Sequence, residues 1–224
     1  MTTPQRRTAG QATADQLVAT AERLFAERGL AAVSLREIGK EAGSRNTGVA
    51  HHHFGGKEGL VRAIIAARAP LLNERRLALL ADATATANDG AIPPEALVRV
   101  LVLPLVEELE RGSHYVAFLA RLAAENPGTP WIPGLDDDSA RSYRQVLTAL
   151  GKALPGLDRR RFRHRSDLLV QLIVGSVAAR QRAEALGTAR VTSRASFVED
   201  LLEAATGLLL APVAADGQDP RTPR

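Results

Sequence analysis

The sequence predicts an all-α fold, and three observations carry that expectation. Apolar residues make up 45% of the 224-residue chain while aromatic ones make up only 4%, with Ala and Leu dominant, a balance that suits helices rather than strands. Apolar positions recur every three or four residues, and no segment alternates as a half-buried strand would. Residues 29–60, GLAAVSLREIGKEAGSRNTGVAHHHFGGKEGL, read as two short helices joined by a tight turn and followed by a third helix start. A chain of this length has room for one small and one larger domain.

The elements follow in order. Residues 1–11 form a polar, basic arm expected to be disordered, whose Arg6 and Arg7 are placed to touch phosphate or the minor groove. Leu17, Val18, Ala21, Leu24 and Phe25 then mark a helix that ends in Arg28 and Gly29. Ser34 and Glu37 form an S-x-x-E capping box, with Val33 and Ile38 at the positions of a hydrophobic staple. Leu35, Ile38 and Ala42 give this short helix its apolar stripe, and Gly43 stands where a left-handed residue ends it. Ser44 or Asn46 caps the next helix, which runs from about Val49 to Phe54 before Gly55-Gly56. Its residues are small or carry imidazole, so it buries little. Thr47, Gly48, His51 and His52 face outward on it, as suits a helix lying in a DNA major groove.

Beyond this point the chain is helical with interruptions. Residues 57–80 read as one helix kinked by Pro70, and 83–94 as a linker with Pro at the next helix start. Leu97 to Leu109 form a helix bent at Pro104, 113–125 another, and ENPGTPWIPGLDDD a loop leading to a helix near 139–153. Two strong helices, 159–186 and 194–211, close the fold ahead of a polar tail from Pro212.

With these motifs in place, residues 12–60 resemble the N-terminal DNA-binding domain of the TetR family of transcriptional repressors. AERLFAERGL matches the end of the first helix, SLREIGKEAG the second, and HHFGGKEGL the close of the recognition helix. One departure is an extra residue between Ala42-Gly43 and His53-Phe54 relative to the commonest family spacing. The position nearest the phosphate, often Tyr in the family, is His52 here. The resemblance implies that Thr47, Gly48 and His51 approach base edges and that Ser34, Arg36, His52 and Lys57 hold phosphates. Arg45 and Asn46 are placed for either role. It also implies a division into a DNA-binding domain over 12–58, a helical effector-binding and dimerisation domain over 59–211, and a tail over 212–224.

Consecutive helical residues point about 100° apart, so His51, His52 and His53 cannot chelate one metal together. One His is expected to pack inside with Phe54 and the other two to face DNA. In the C-terminal helices Leu169, Leu172, Ile173 and Val177, with Leu201, Leu202 and Leu208, cover more than one face. They are therefore central to a core or face a partner, and the resemblance implies a homodimer built on these helices. The run Arg159, Arg160, Arg161, Arg163 and Arg165 is expected to be a solvated face beside Asp136, Asp137 and Asp138.

Function classes narrow accordingly. The chain has no Cys, no Gly-rich phosphate loop, no G-x-S-x-G and no i, i+4 pair of metal-binding histidines, which leaves an enzyme as the weaker alternative. A non-specific architectural DNA binder is another, disfavoured by the large C-terminal part. The absence of an 18-residue apolar run and of a leader pattern gives an expectation of a cytoplasmic protein that does not engage membranes. No cofactor is expected. The partners expected are a palindromic operator in double-stranded DNA, a second copy of the chain, and a small-molecule effector. The effector site is placed among residues 97–180, with His114, Tyr115, Phe118 and Arg121 on a polar-aromatic helix face and Trp131 as a lid or wall.

Overall fold

A computed structural model describes residues 9–44, 46, 48–87, 90–125, 138–187 and 192–213. Arg6, Arg7, Arg45, Thr47, Trp131, Asp136, Asp137 and most of the tail lie outside the described residues. Among the described residues there are nine α-helices and no strand: α1 Ala9–Arg28, α2 Leu35–Glu41, α3 Val49–Phe54, α4 Lys57–Ala85, α5 Pro94–Glu110, α6 Tyr115–Glu125, α7 Arg141–Ala153, α8 Arg159–Leu186 and α9 Arg194–Leu210.

α1, α2 and α3 gather around Leu17, Ala21, Phe25, Val33, Ile38 and Ala50, all buried, to form a small three-helix head. α5 is the axis of the remainder. Leu97, Val98, Val100, Leu101, Val102, Leu105 and Val106 bury nearly its whole circumference, as expected of a helix enclosed on several sides. It packs against α4, α6, α7, α8 and α9. Pro94 occupies its first turn, where the missing amide costs nothing.

The expected boundary at 58/59 carries no break in packing. α1 lies against α6, where Phe25 stacks on Phe118 with ring centroids 6.3 Å apart, and one apolar cluster runs from Leu17 to Leu209. Beside it Arg68 of α4 forms a two-pronged ion pair with the buried Glu22 of α1, at 2.9 and 2.8 Å. Arg68 also lies 4.0 Å from the buried Glu108 of α5.

α4 departs from expectation by continuing to Ala85 instead of ending near Leu80. The Thr84 hydroxyl donates to the Leu80 carbonyl at 2.7 Å and that of Thr86 to Asp82 at 3.0 Å. These bonds fold the threonines back onto the helix in place of a turn. Among the described residues the acid beside the arginine run is Asp158; Asp136 and Asp137 of the expected cluster lie outside the described residues. The Asp158 carboxylate caps α8 by accepting from the Arg161 amide at 2.9 Å and pairs with the Arg161 guanidinium at 3.4 Å. Those contacts hold its carboxyl below the usual range, the amide bond being the largest cause.

The expected dimer residues divide. Leu169, Ile173, Val177 and Leu201 are at most 4% exposed in the single chain. They serve its own core, because an α-helix packed between two neighbours turns these positions inward. Leu172, Leu202 and Leu208 keep half-exposed surface.

Candidate nucleic-acid interface and internal cavity

The second helix of the head is fixed as its sequence requires. The Glu37 amide donates to the Ser34 hydroxyl oxygen at 3.2 Å, and the Ser34 amide donates to the Glu37 carboxylate at 3.5 Å. Val33 and Ile38 are both buried beside the box. Gly43 adopts φ 76° after the last turn, and the Ser44 amide closes on the Gly39 carbonyl at 2.9 Å.

The turn into α3 is built differently from the expectation. The first helix-flanking residue is Gly48, with no side-chain cap, and neither Ser44 nor Asn46 occupies that position. Asn46 acts one step earlier: its side-chain oxygen accepts from the Gly48 amide at 2.9 Å, and its own amide donates to the Ser44 hydroxyl at 3.2 Å. These local bonds tie Ser44, Asn46 and Gly48 together in the turn.

α3 buries Ala50, and its three histidines are all exposed. The expectation that one would pack inward is corrected: His53 and Phe54 rings meet with centroids 6.0 Å apart, but at the rim, with Phe54 only half-buried. A helix of six residues that spends its inward direction on Ala50 has no room to bury an imidazole. Gly55 ends it at φ 71°, its amide donating to the His51 carbonyl at 2.8 Å. Gly59 then passes so close to the Phe54 carbonyl that a Cβ there would collide with it. That requirement is a backbone approach the sequence does not advertise.

Ser34, Arg36, Asn46, Gly48, His51 and His52 are thus exposed together on the α2–α3 side of the head. Lys57 is different. Its ammonium donates to the Leu30 carbonyl at 2.7 Å and to Ala31 at 3.4 Å, so much of its donor capacity secures the turn after α1. The same turn is gripped from the other side by Glu125, at the end of α6. Its carboxylate accepts from the Leu30 amide at 3.0 and 3.1 Å and from Ala31 at 3.2 Å.

A cavity of about 130 Å³ lies between α4, α5, α6, α7 and α8. Leu101, Leu105 and Ile173 line it, with Arg76, Tyr115, Ser139 and Tyr143 as its polar residues. Of the effector residues expected on α6, Tyr115 reaches it. Leu119 follows Tyr115 onto that face, while Phe118 turns toward Phe25 of α1 and His114 is exposed. Arg121 is half-buried, its Nε without a hydrogen-bond partner, and lies outside the lining. Arg76 and Tyr143 were not singled out in the sequence, because nothing in their spacing says that helices α4 and α7 converge. Burial pushes the Tyr143 hydroxyl up to about 12 and the Tyr115 hydroxyl higher, the Arg76 charge opposing both. Both are therefore protonated donors at neutral pH. Burial also draws the Arg76 guanidinium below its usual value.

Residues 17–64 match the family described as bacterial regulatory proteins, tetR family, and residues 95–207 match the tetracyclin repressor-like C-terminal domain. No curated protein sequence matches the chain. Among solved structures, a putative tetR family transcription regulator from Shewanella sp. PV-4 is similar, with a TM-score of 0.57 at 15% identity over 88% of this chain and 98% of that one. The fatty acid degradation regulator FadR from Bacillus halodurans gives a TM-score of 0.56 at 15% identity, over 91% of this chain and 97% of its own. A TetR family transcription regulator from Marinobacter aquaeolei VT8 gives 0.56 at 15% identity, over 88% and 95%. At such identities the likeness is one of fold.

Proposed function

The chain belongs to the TetR family of bacterial transcriptional regulators, and from that premise we propose that it is a repressor which binds a palindromic operator as a homodimer and leaves it when a small molecule binds. The observation that carries the reading is the α2–α3 surface. A helix that buries only Ala50 presents Gly48, His51 and His52 outward, beside exposed Arg36 and Ser34. Short polar side chains read base edges, while cations and helix N-termini hold phosphates. Thr47 belongs with the base-reading set and Arg45 with either. Lys57 acts first on the α1 turn and through its remaining donor on phosphate.

Each chain carries one reading head, so a palindromic site calls for two chains. The surface that supports pairing is on α8, where Leu168, Leu172, Gly175 and Ala179 follow i, i+4, i+7 and i+11 along its outer face. On α9 Leu202, Leu208 and Leu210 add to it. Two links join the cavity to the head: α4, which begins at Lys57, and α6, which lines the cavity at Tyr115 and grips the 30–31 turn through Glu125. A ligand that repacks either helix alters the separation of the two heads, and a fixed half-site spacing turns that into lost affinity. None of the described helices is long and apolar enough to cross a membrane, and a regulator of a chromosomal operator would work in the cytoplasm.

The test is to sequence genomic fragments retained by the purified protein at moderate salt. An inverted repeat is expected. Smooth, sequence-independent retention would identify an architectural binder, and no retention would overturn the reading. Sedimentation showing a monomer at micromolar concentration, with undiminished DNA affinity, would remove the dimer.

A further inference from the structure

The arginines of α4 differ in one respect. Arg62 lies 3.9 Å from Glu58, Arg68 is bound to Glu22, and Arg75 donates to Glu107 at 2.8 Å. Arg76 is joined to no carboxylate among the described residues, and its Nε is buried without a hydrogen-bond partner. Position explains why it is there. Ile65, Ala69, Leu72 and Arg76 stand at i, i+4, i+7 and i+11, one stripe of α4, and all four line the cavity. Arg75, one residue earlier, points about 100° away and finds its acid on α5.

A guanidinium stays protonated in proteins, so the stripe carries a cation into a chamber otherwise walled by Leu101, Leu105, Leu119, Val170, Ile173 and Val174. Removing a charge from water without a counter-charge is unfavourable, and the described residues supply none. What they do supply beside Arg76 are the Tyr115 and Tyr143 phenols, both held protonated by burial. The planar guanidinium offers only donors and carries the one charge in the lining, and the phenolic O–H groups can turn their protons the same way, a set that suits an oxyanion and repels an ammonium. The volume limits the remainder of the ligand. At about 130 Å³ the chamber is close to a protein cavity of about 150 Å³ known to admit benzene.

We propose that the cavity is a site for a small apolar monocarboxylate, its carboxylate on Arg76 with Tyr115 and Tyr143 and its body, about the size of one ring, among the leucines and Ile173. The inference rests on reading this cavity as the effector site and adds the ligand's chemical class. Binding of benzoate, benzyl alcohol and benzylamine to the full-length protein is measured by calorimetry, and operator occupancy is read separately for each compound. Benzoate should bind at least tenfold more tightly than benzyl alcohol, with benzylamine weakest. Arg76→Met should abolish the preference for benzoate over the alcohol, Arg76→Lys should retain part of it, and Tyr143→Phe should weaken benzoate severalfold. The comparison among ligands needs no variant, so a misfolded Arg76→Met leaves the test intact. Equal binding of benzoate and benzyl alcohol, or no benzoate binding at millimolar concentration, would overturn the ligand class. Benzoate that binds through Arg76 without changing operator occupancy would uphold the class and remove release by this cavity. A neutral compound that binds there and releases DNA would do the reverse.

Discussion

Replacing Arg68 with methionine should destabilise the chain by about 3 kcal/mol, the lower end of the range for breaking a buried ion pair. The magnitude follows from what is left behind. Glu22 has a side chain only 5% exposed and receives two bonds from Arg68. Glu108, wholly buried, has Arg111 at 2.8 Å on one oxygen, while its other oxygen lies 4.0 Å from Arg68 and lacks a hydrogen bond. Methionine fills similar space but strands a carboxylate and strengthens the isolation of another. The low end is chosen because Arg68 itself is 32% exposed and water screens part of its field. Removing the charge from Glu22 as well, in Arg68→Met with Glu22→Gln, should restore about 2 kcal/mol as a coupling energy. The Glu22 hydrogen bonds raise the Arg68 guanidinium above its ordinary value despite burial. A raised folded-state value means that its stabilisation is complete below the unfolded value and is lost only as pH rises through the folded one. The Arg68 contribution should therefore be constant from about pH 6 to about pH 9. Urea unfolding followed by circular dichroism, at fixed protomer concentration, measures both quantities. A coupling below about 0.5 kcal/mol would refute the claim that this pair ties the reading head to α4.

Other substitutions probe the head more locally. Ser34→Ala removes half of the capping box and should cost about 1 kcal/mol in thermal or urea unfolding, with weaker DNA binding in a shift assay. Lys57→Met should lower stability as well as reduce the salt slope of DNA binding by about one counterion, because the ammonium is bound to Leu30; a change in DNA binding alone would mean that the carbonyl contacts contribute nothing. Gly59→Ala places a Cβ against the Phe54 carbonyl and should cost about 2 kcal/mol or more in urea unfolding, since backbone must move.

Local chemistry was legible in the sequence wherever it is self-contained. The Ser34–Glu37 box, the left-handed Gly43 and Gly55, and α8 over 159–186 are each set by residues a few positions apart, and the structure has them there. What depended on distant partners was not. Tyr115 and Phe118 are three residues apart on one helix, yet one faces the cavity and the other α1, because α6 lies between α1 and α8. Leu169 and Val177 announce a wide apolar helix without saying whether the chain itself or a second copy covers it. The role of Glu125 was equally hidden, since its partners are main-chain amides ninety-odd residues away that any sequence would provide.

The recognition helix places Ala50 in the core and leaves its histidines outside it. If the α2–α3 surface reads DNA as proposed, the information that selects an operator is written on residues that the fold hardly reads. Exposed positions of this kind change stability by no more than about 0.5 kcal/mol when substituted. On that proposal a lineage could rewrite His51 or His52, lose one operator and acquire another without passing through an unfolded intermediate. Ala50, by contrast, is confined to small apolar residues whatever DNA is bound. The same separation would let a library randomised at 48, 51, 52 and 53 be sorted for new target sequences with most members still folded.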